Sequence, residues 1–369
     1  MANKQENRMP KTFRRISALF KEGTWLPVIA VLLGLASGAL IMLLGSYNPL
    51  TAYQSLLTRS FGDMYNFGEM IRQVTPLIFT GLAVAFAFRT GLFNIGAEGQ
   101  FIIGAMAGIY VGVFWHLPWG LHAVAAVAAG ALAGGIWGGI AGYLKAARGV
   151  HEVISTIMLN WIALYLVNYL TKRFMLEPGQ MRSRTAQESA WLSADWLSGL
   201  FEHARIHFGI LIGLGCAVVF YIVLLQTKLG FELRAVGLNP HASEYAGIKV
   251  KQSMIAAMFG SGMFAGLGGA AEMLGVYHYL SVEAAFRGYG FLGLAVALIG
   301  RNTALGTVLS AFLLGALTYG APGMKFGAGV PEELIDIVIA MVIFFVAAAG
   351  IITAMLRLLS GRRRKKEAA

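Results

Sequence analysis

The chain has one cysteine in 369 residues, Cys216, set inside an apolar stretch. That excludes an internal disulfide and any cysteine-based metal cluster. Charged residues are also scarce, at 13% against about 25% in soluble domains, so a water-soluble fold is excluded. No GxxxxGK[ST] run exists to cradle nucleotide phosphates. His151-Glu152 opens HEVIS but lacks the second histidine of a zinc-protease helix, and GxSxG is absent. No catalytic residues can be assembled from what remains. Ten-residue segments of alternating hydrophobicity, the mark of a membrane β-barrel, are missing as well. The first apolar stretch is long and no small-residue cleavage site follows it, so no cleavable signal peptide is expected.

What is present is 57% hydrophobic sequence, arranged in runs long enough to cross a 30 Å hydrocarbon slab. The reading is an all-α polytopic membrane protein with about ten transmembrane helices. The expected spans are 25–46, 70–88, 95–115, 119–144, 152–172, 208–227, 251–272, 288–300, 304–321 and 332–356. Glycine at four-residue spacing (Gly104, Gly108, Gly112; Gly130, Gly134, Gly138, Gly142) predicts flat seams for close helix packing, with no transport role.

An even span count places both termini on one side. Of 29 Lys and Arg, twenty fall on that side, including Arg89, Lys228, Arg234, Arg301 and the basic tail from Arg357 to Lys366. The positive-inside rule makes it cytoplasmic and accounts for the net charge of +11 without nucleic acid. Residues 1–24 form a cytoplasmic segment in which Thr12–Glu22 reads as an interfacial amphipathic helix on membrane lipid. Residues 25–356 are the transmembrane domain and 357–369 a basic cytoplasmic tail. The outer loop 173–207 carries Trp191 and Trp196, which suggest a short helix at headgroup level.

Gly81–Arg89 (GLAVAFAFR) and Gly293–Arg301 (GLAVALIGR) agree at six of nine positions and run in the same direction. Related halves place a substrate path between them. In Arg89–Gln100 (RTGLFNIGAEGQ), three glycines loosen the helix while Asn94, Glu98 and Gln100 supply polar groups. Irregular backbone at membrane depth requires cover from protein or a watery cavity. Glu98 either lines a pathway or ties helices together through backbone amides or Arg89. Glu272, closing a glycine-rich helix, is the other acid expected on a pathway, and Tyr277, His278 and Tyr279 would lie beyond it at the outer mouth.

The polar segment Lys228–Ile248, within a loop spanning 228–250, predicts two short helices about a turn at Gly237–Pro240. Asn239 would cap the second helix, with Pro240 in its first turn. Exposed Glu232 and Arg234 suit docking to a partner.

With these motifs in place, the chain resembles the permease subunits of bacterial ABC nucleoside importers, of the ribose/simple-sugar and branched-chain amino acid permease group. The resemblance rests on GLAVAFAFRTGLFNIGAEGQ, VHEVISTIMLNWIALYLVNYL (Val150–Leu170) and GFELRAVGLNPHASEYAGI (Gly230–Ile248). It implies a type II ABC importer-like fold in the bacterial cytoplasmic membrane. It also implies a second, non-identical permease subunit, a cytoplasmic ABC ATPase holding ATP and Mg, and an extracytoplasmic substrate-binding lipoprotein. No cofactor belongs to this chain. Glu232, Arg234, Gly237, Asn239, Pro240 and Gly247 match the family's ATPase-coupling segment, and Asn94–Gln100 matches a segment bordering the route. The implied cargo is a nucleoside, with purine nucleosides preferred. A simple sugar and, as a different class, an ion-coupled secondary transporter using Glu98 and Glu272 are the alternatives.

Overall fold

A computed structural model describes residues 26–348. The expected amphipathic helix at Thr12–Glu22 and the basic tail lie outside the described residues. Of the described residues 78% are helical, and the only β pairing among them is three isolated bridges. Seven described helices are long and apolar enough to cross a bilayer, while Val28–Leu44 and Tyr289–Ile299 are apolar but shorter.

Two compact units are present. The smaller is drawn from residues 26–55 and 321–348. In it, α1 (Leu26–Leu44) meets the last described helix, Glu332–Ala347, backbone to backbone. A Cβ on Gly34 would sit 2.5 Å from Val342 Cα, so only glycine permits this approach. Helix α2 (Pro49–Phe61), which begins in this unit, was not anticipated: its mixed polar pattern is too short and wet for a span.

The larger unit, Leu56–Gly320, holds α3 (Met64–Arg89), α4 (Ala97–Phe114), α5 (Leu121–Arg148), α6 (Glu152–Leu170), α7 (Asp195–Leu200), α8 (Gly209–Gln226), α9 (Lys228–Leu238), α10 (Pro240–Tyr245), α11 (Val250–Glu272) and α12 (Tyr289–Ile299). Helix α3 starts six residues before the expected span at 70, because Asp63 caps it by accepting from the Asn66 amide at 2.7 Å. Helix α11 is the hub, packed on α4 and α5. The predicted glycine seams meet there: a Cβ on Gly104 would come within 2.3 Å of Gly266 Cα, and one on Gly134 within 2.5 Å of the Gly262 carbonyl oxygen. Without a hydrophobic force between helices in lipid, such contact gains dispersion energy that larger side chains would forfeit.

The two echoed segments lie against each other. Gly81 faces Val296 and Gly293 faces Thr80, each too close to admit a Cβ. Arg89 Nε then donates to the Asn302 carbonyl at 2.8 Å, tying their ends together.

The 173–207 loop, expected to carry a short helix at headgroup level, is packed against the rest of the unit. It folds over the residues that follow α11: Ser183 donates its amide to the Leu280 carbonyl at 2.8 Å, and Leu192 does so to Leu274 at 3.0 Å. Trp196 sits in α7 as expected, but Trp191 stacks on the His278 ring at 3.9 Å.

Candidate functional site

Three polar layers run through the larger unit. At one end lies the segment joining α8 to α11. Thr227 starts α9 by accepting from the Gly230 amide at 3.1 Å, and Leu233 and Val236 are buried beneath it. Asn239 is extended, and its Oδ1 accepts from the Ala242 amide at 3.1 Å; Pro240 follows at the position where a missing N–H costs nothing. Gly247, at φ +82°, closes α10 as Ile248 donates to the Ser243 carbonyl at 3.0 Å. The predicted helix–turn–helix is therefore rigidly capped at both ends. Yet Leu238 is 88% and Tyr245 97% exposed, and Phe231 is exposed beside them. Large apolar side chains on a capped polar loop are unusual for a free surface. Glu232 lies 3.7 Å from Lys228, and Arg234 Nε donates to the Gly230 carbonyl at 3.3 Å, both within α9.

Gly237 joins this layer to the next. A Cβ there would sit 2.7 Å from the Thr90 carbonyl carbon and 2.9 Å from the Gly91 nitrogen. Gly91 has φ +73°, a left-handed backbone open to glycine and costly for other residues. The coupling-type segment and the Arg89–Gln100 motif thus touch through bare backbone.

The second layer is a broken-helix junction. The chain unwinds between α3 and α4, and side chains meet several backbone groups at the break and in the first turn of α4. Asn94 Nδ2 donates to Gln100 Oε1 at 2.9 Å and to Ser261 Oγ at 2.7 Å, while its Oδ1 accepts from the Gly96 amide at 2.8 Å. Ser261 passes its own proton to the Ala83 carbonyl at 2.6 Å. Asn160 Oδ1 accepts from the Gly99 amide at 2.8 Å, and its Nδ2 donates to the Ile95 carbonyl at 3.0 Å. Glu98 Oε1 accepts from the Gly288 amide at 2.9 Å, and Oε2 accepts from the Gly290 amide. Those amides open α12, whose 11 residues reach about 16 Å, roughly half a hydrocarbon slab. A carboxylate on a half-helix N-terminus meets both unpaired N–H groups and the positive end of the dipole. Discontinuous helices meeting this way recur at transporter midplanes. Asn94, Glu98 and Gln100 are brought together here; Glu272 is not.

Glu272 belongs to the third layer, a buried charge cluster towards the opposite end. Arg72 Nε donates to Glu69 Oε2 at 2.9 Å and Nη1 to Glu272 Oε1 at 3.3 Å. Arg205 reaches in from the 173–207 loop, its backbone amide and Nε on Glu69 Oε1 at 2.8 and 3.1 Å and its Nη2 on Oε2 at 2.8 Å. His207 Nδ1 accepts from the Gly209 amide at 3.1 Å, which leaves its Nε2 4.0 Å from Glu272 Oε2. Burial, with Arg72 and His278 adding, pushes the His207 imidazole down to about 3, so it is neutral and forms no ion pair. Two acids meet two arginines, Arg72 buried with them and Arg205 reaching in from a more exposed position. Beyond this layer the aromatic faces are already covered: Arg287 lies over Tyr277 at 4.5 Å and Arg182 over Tyr279 at 4.3 Å.

Arg72, Arg205 and His207 escaped the sequence reading. Arg72 left a signal, a cation inside a long apolar run three residues after Glu69. Arg205 and His207 left none, since only loop folding delivers them.

A multi-pass helical protein with a hydrogen-bonded break between two long apolar helices and a structured polar loop at one end has the form of a membrane permease. The chain belongs to the family described as branched-chain amino acid transport system / permease component, which matches residues 66–347. It is 48% identical to the guanosine ABC transporter permease protein NupP of Bacillus subtilis over 93% of this chain and 97% of the relative. It is 37% identical to the nucleoside ABC transporter permease protein NupB of Lactococcus lactis over 89% and 92%, and 33% identical to the glucose ABC transporter permease protein TsgB13 of Haloferax volcanii over 90% and 88%. No solved structure matches the chain significantly. A permease component is a transport subunit and not an enzyme, and its place is the cytoplasmic membrane.

Proposed function

We propose that this chain is a translocating subunit of an ATP-driven nucleoside importer, with purine nucleosides as cargo. The observation that carries the reading is the 48% identity to a guanosine permease across 93% of the chain, which covers all three polar layers. The motor is a separate cytoplasmic ATPase holding ATP and Mg. A second, non-identical permease completes the pathway, as in the relatives that occur as NupP with NupQ and NupB with NupC. An extracytoplasmic lipoprotein delivers the cargo, and both termini face the cytoplasm.

In this reading the ATPase grips Lys228–Ile248 through Phe231, Leu238 and Tyr245, with Glu232 and Arg234 at the rim. Closure of the motor moves α9 as a rigid piece. Gly237 pushes on Thr90-Gly91, and the displacement reaches Asn94–Gln100 and, through Glu98, the entrance of α12. The N-termini of α4 and α12, meeting at Glu98, shift together, while the Glu69–Arg72–Glu272 cluster holds the other end. The chain makes no covalent bond to its cargo.

A sugar is the second reading, favoured by the 33% identity to a glucose permease. Uptake of labelled guanosine by the assembled transporter, challenged with excess nucleosides or glucose, separates the two. Competition by purine nucleosides alone supports the proposal, and competition by glucose alone selects the sugar.

A further inference from the structure

Helix α6 ends in a π turn, Thr171–Met175, that swings its side chains out of register with the span. Together with α4 and α5 it encloses a groove of about 730 Å³ lined by Met106, Tyr110, Phe114, Ala129, Leu170 and Phe174. No charged side chain enters the lining. Along α4 the groove runs from Met106 to Phe114, about 12 Å of helix, close to the roughly 15 Å depth of one hydrocarbon leaflet. Trp115 and Trp119, both exposed, follow at its end and mark the level of the headgroups.

At that level stand two exposed cations, Lys172 and Arg173. The Arg173 guanidinium lies 5.9 Å from the centre of the Phe174 ring, and Phe174 is the wall of the groove. Among the described residues neither cation forms a salt bridge with an acid. A protein interface core is depleted in lysine. An apolar slot one leaflet deep, closed at its mouth by two adjacent cations, instead matches a phospholipid: acyl chain in the slot, phosphate on the cations.

We infer that this groove is a specific site for an anionic phospholipid, seated between α4, α5 and the π turn with its headgroup on Lys172 and Arg173. The site is separate from the three polar layers and does not depend on the nature of the cargo. A lipid held there wedges α4, the helix that carries Glu98, against α5 and α6.

The test uses the assembled transporter purified in mild detergent and exposed to equal amounts of phosphatidylglycerol and phosphatidylcholine, with retained lipid read by native mass spectrometry. Wild type should retain phosphatidylglycerol about thirtyfold over phosphatidylcholine, given roughly a kilocalorie of attraction from each of the two surface cations. Lys172→Gln with Arg173→Gln should abolish that preference while leaving complex assembly intact, because both side chains are exposed. Ala129→Phe, which fills the slot, should lower retention of both lipids. Equal retention of the two lipids by wild type would overturn the inference. So would a photo-crosslinker at Phe174 that captures the second permease rather than lipid.

Discussion

Glu98 holds two amides at the entrance of α12, and among the described residues no other side chain bonds them. Replacing it with alanine strands both N–H groups away from water, at about 1–3 kcal/mol each. Thermal unfolding of Glu98→Ala should therefore show a clear loss of stability, with Glu98→Gln intermediate. At His207 the effect is one of pH. Its folded value is about 3 against an ordinary 6.5, so below pH 6.5 the unfolded chain takes up a proton that the folded chain refuses. Stability from this group is complete above pH 6.5 and is lost progressively as pH falls toward 3. His207→Gln should flatten the acid limb of a melting-temperature profile, and an unchanged limb would remove His207 as its cause. The sequence made Glu98 visible because an acid amid glycines and apolar residues has few physical excuses. It could not say whether the carboxylate faced a pathway or backbone amides, since α12 arrives from nearly 200 residues away.

Among elements, the close contact of α9 with the Thr90-Gly91 turn is the step on which the proposed transmission depends. Valine at Gly237 would drive side-chain carbons into the Thr90 carbonyl, forcing the two backbones apart. ATP hydrolysis by the assembled complex should persist in Gly237→Val while cargo moved per ATP falls at least several-fold. Glu232→Ala with Arg234→Ala acts one step earlier, at the grip on the ATPase, and should uncouple hydrolysis from uptake; unchanged uptake at normal membrane levels would exclude those two residues. Caps and turns were the most legible features of this region. Asn239, Pro240 and Gly247 each do locally what their chemistry demands, and the structure draws the helix–turn–helix where the residues place it. Helix α2 and the folded course of 173–207 were not legible: α2 is too short and too polar to read as a span, and the loop takes its form from contacts with distant segments.

At the scale of the whole molecule, the apolar runs and the paired echo segments announce a helical pathway protein, and glycine seams explain how α4, α5 and α11 pack without a hydrophobic drive. The charge cluster at Glu69, Arg72, Arg205 and Glu272 is the part that sequence conceals, being assembled from three separated stretches. What unites the layers is that a permease component carries no ATPase of its own, and in the proposed reading movement enters from outside through Lys228–Ile248. The direct measurement is nucleoside accumulation in proteoliposomes containing this chain and its permease partner, with and without the ATPase. Uphill accumulation should appear only with the ATPase and ATP present. Accumulation against a gradient with no ATPase and no nucleotide would contradict the account.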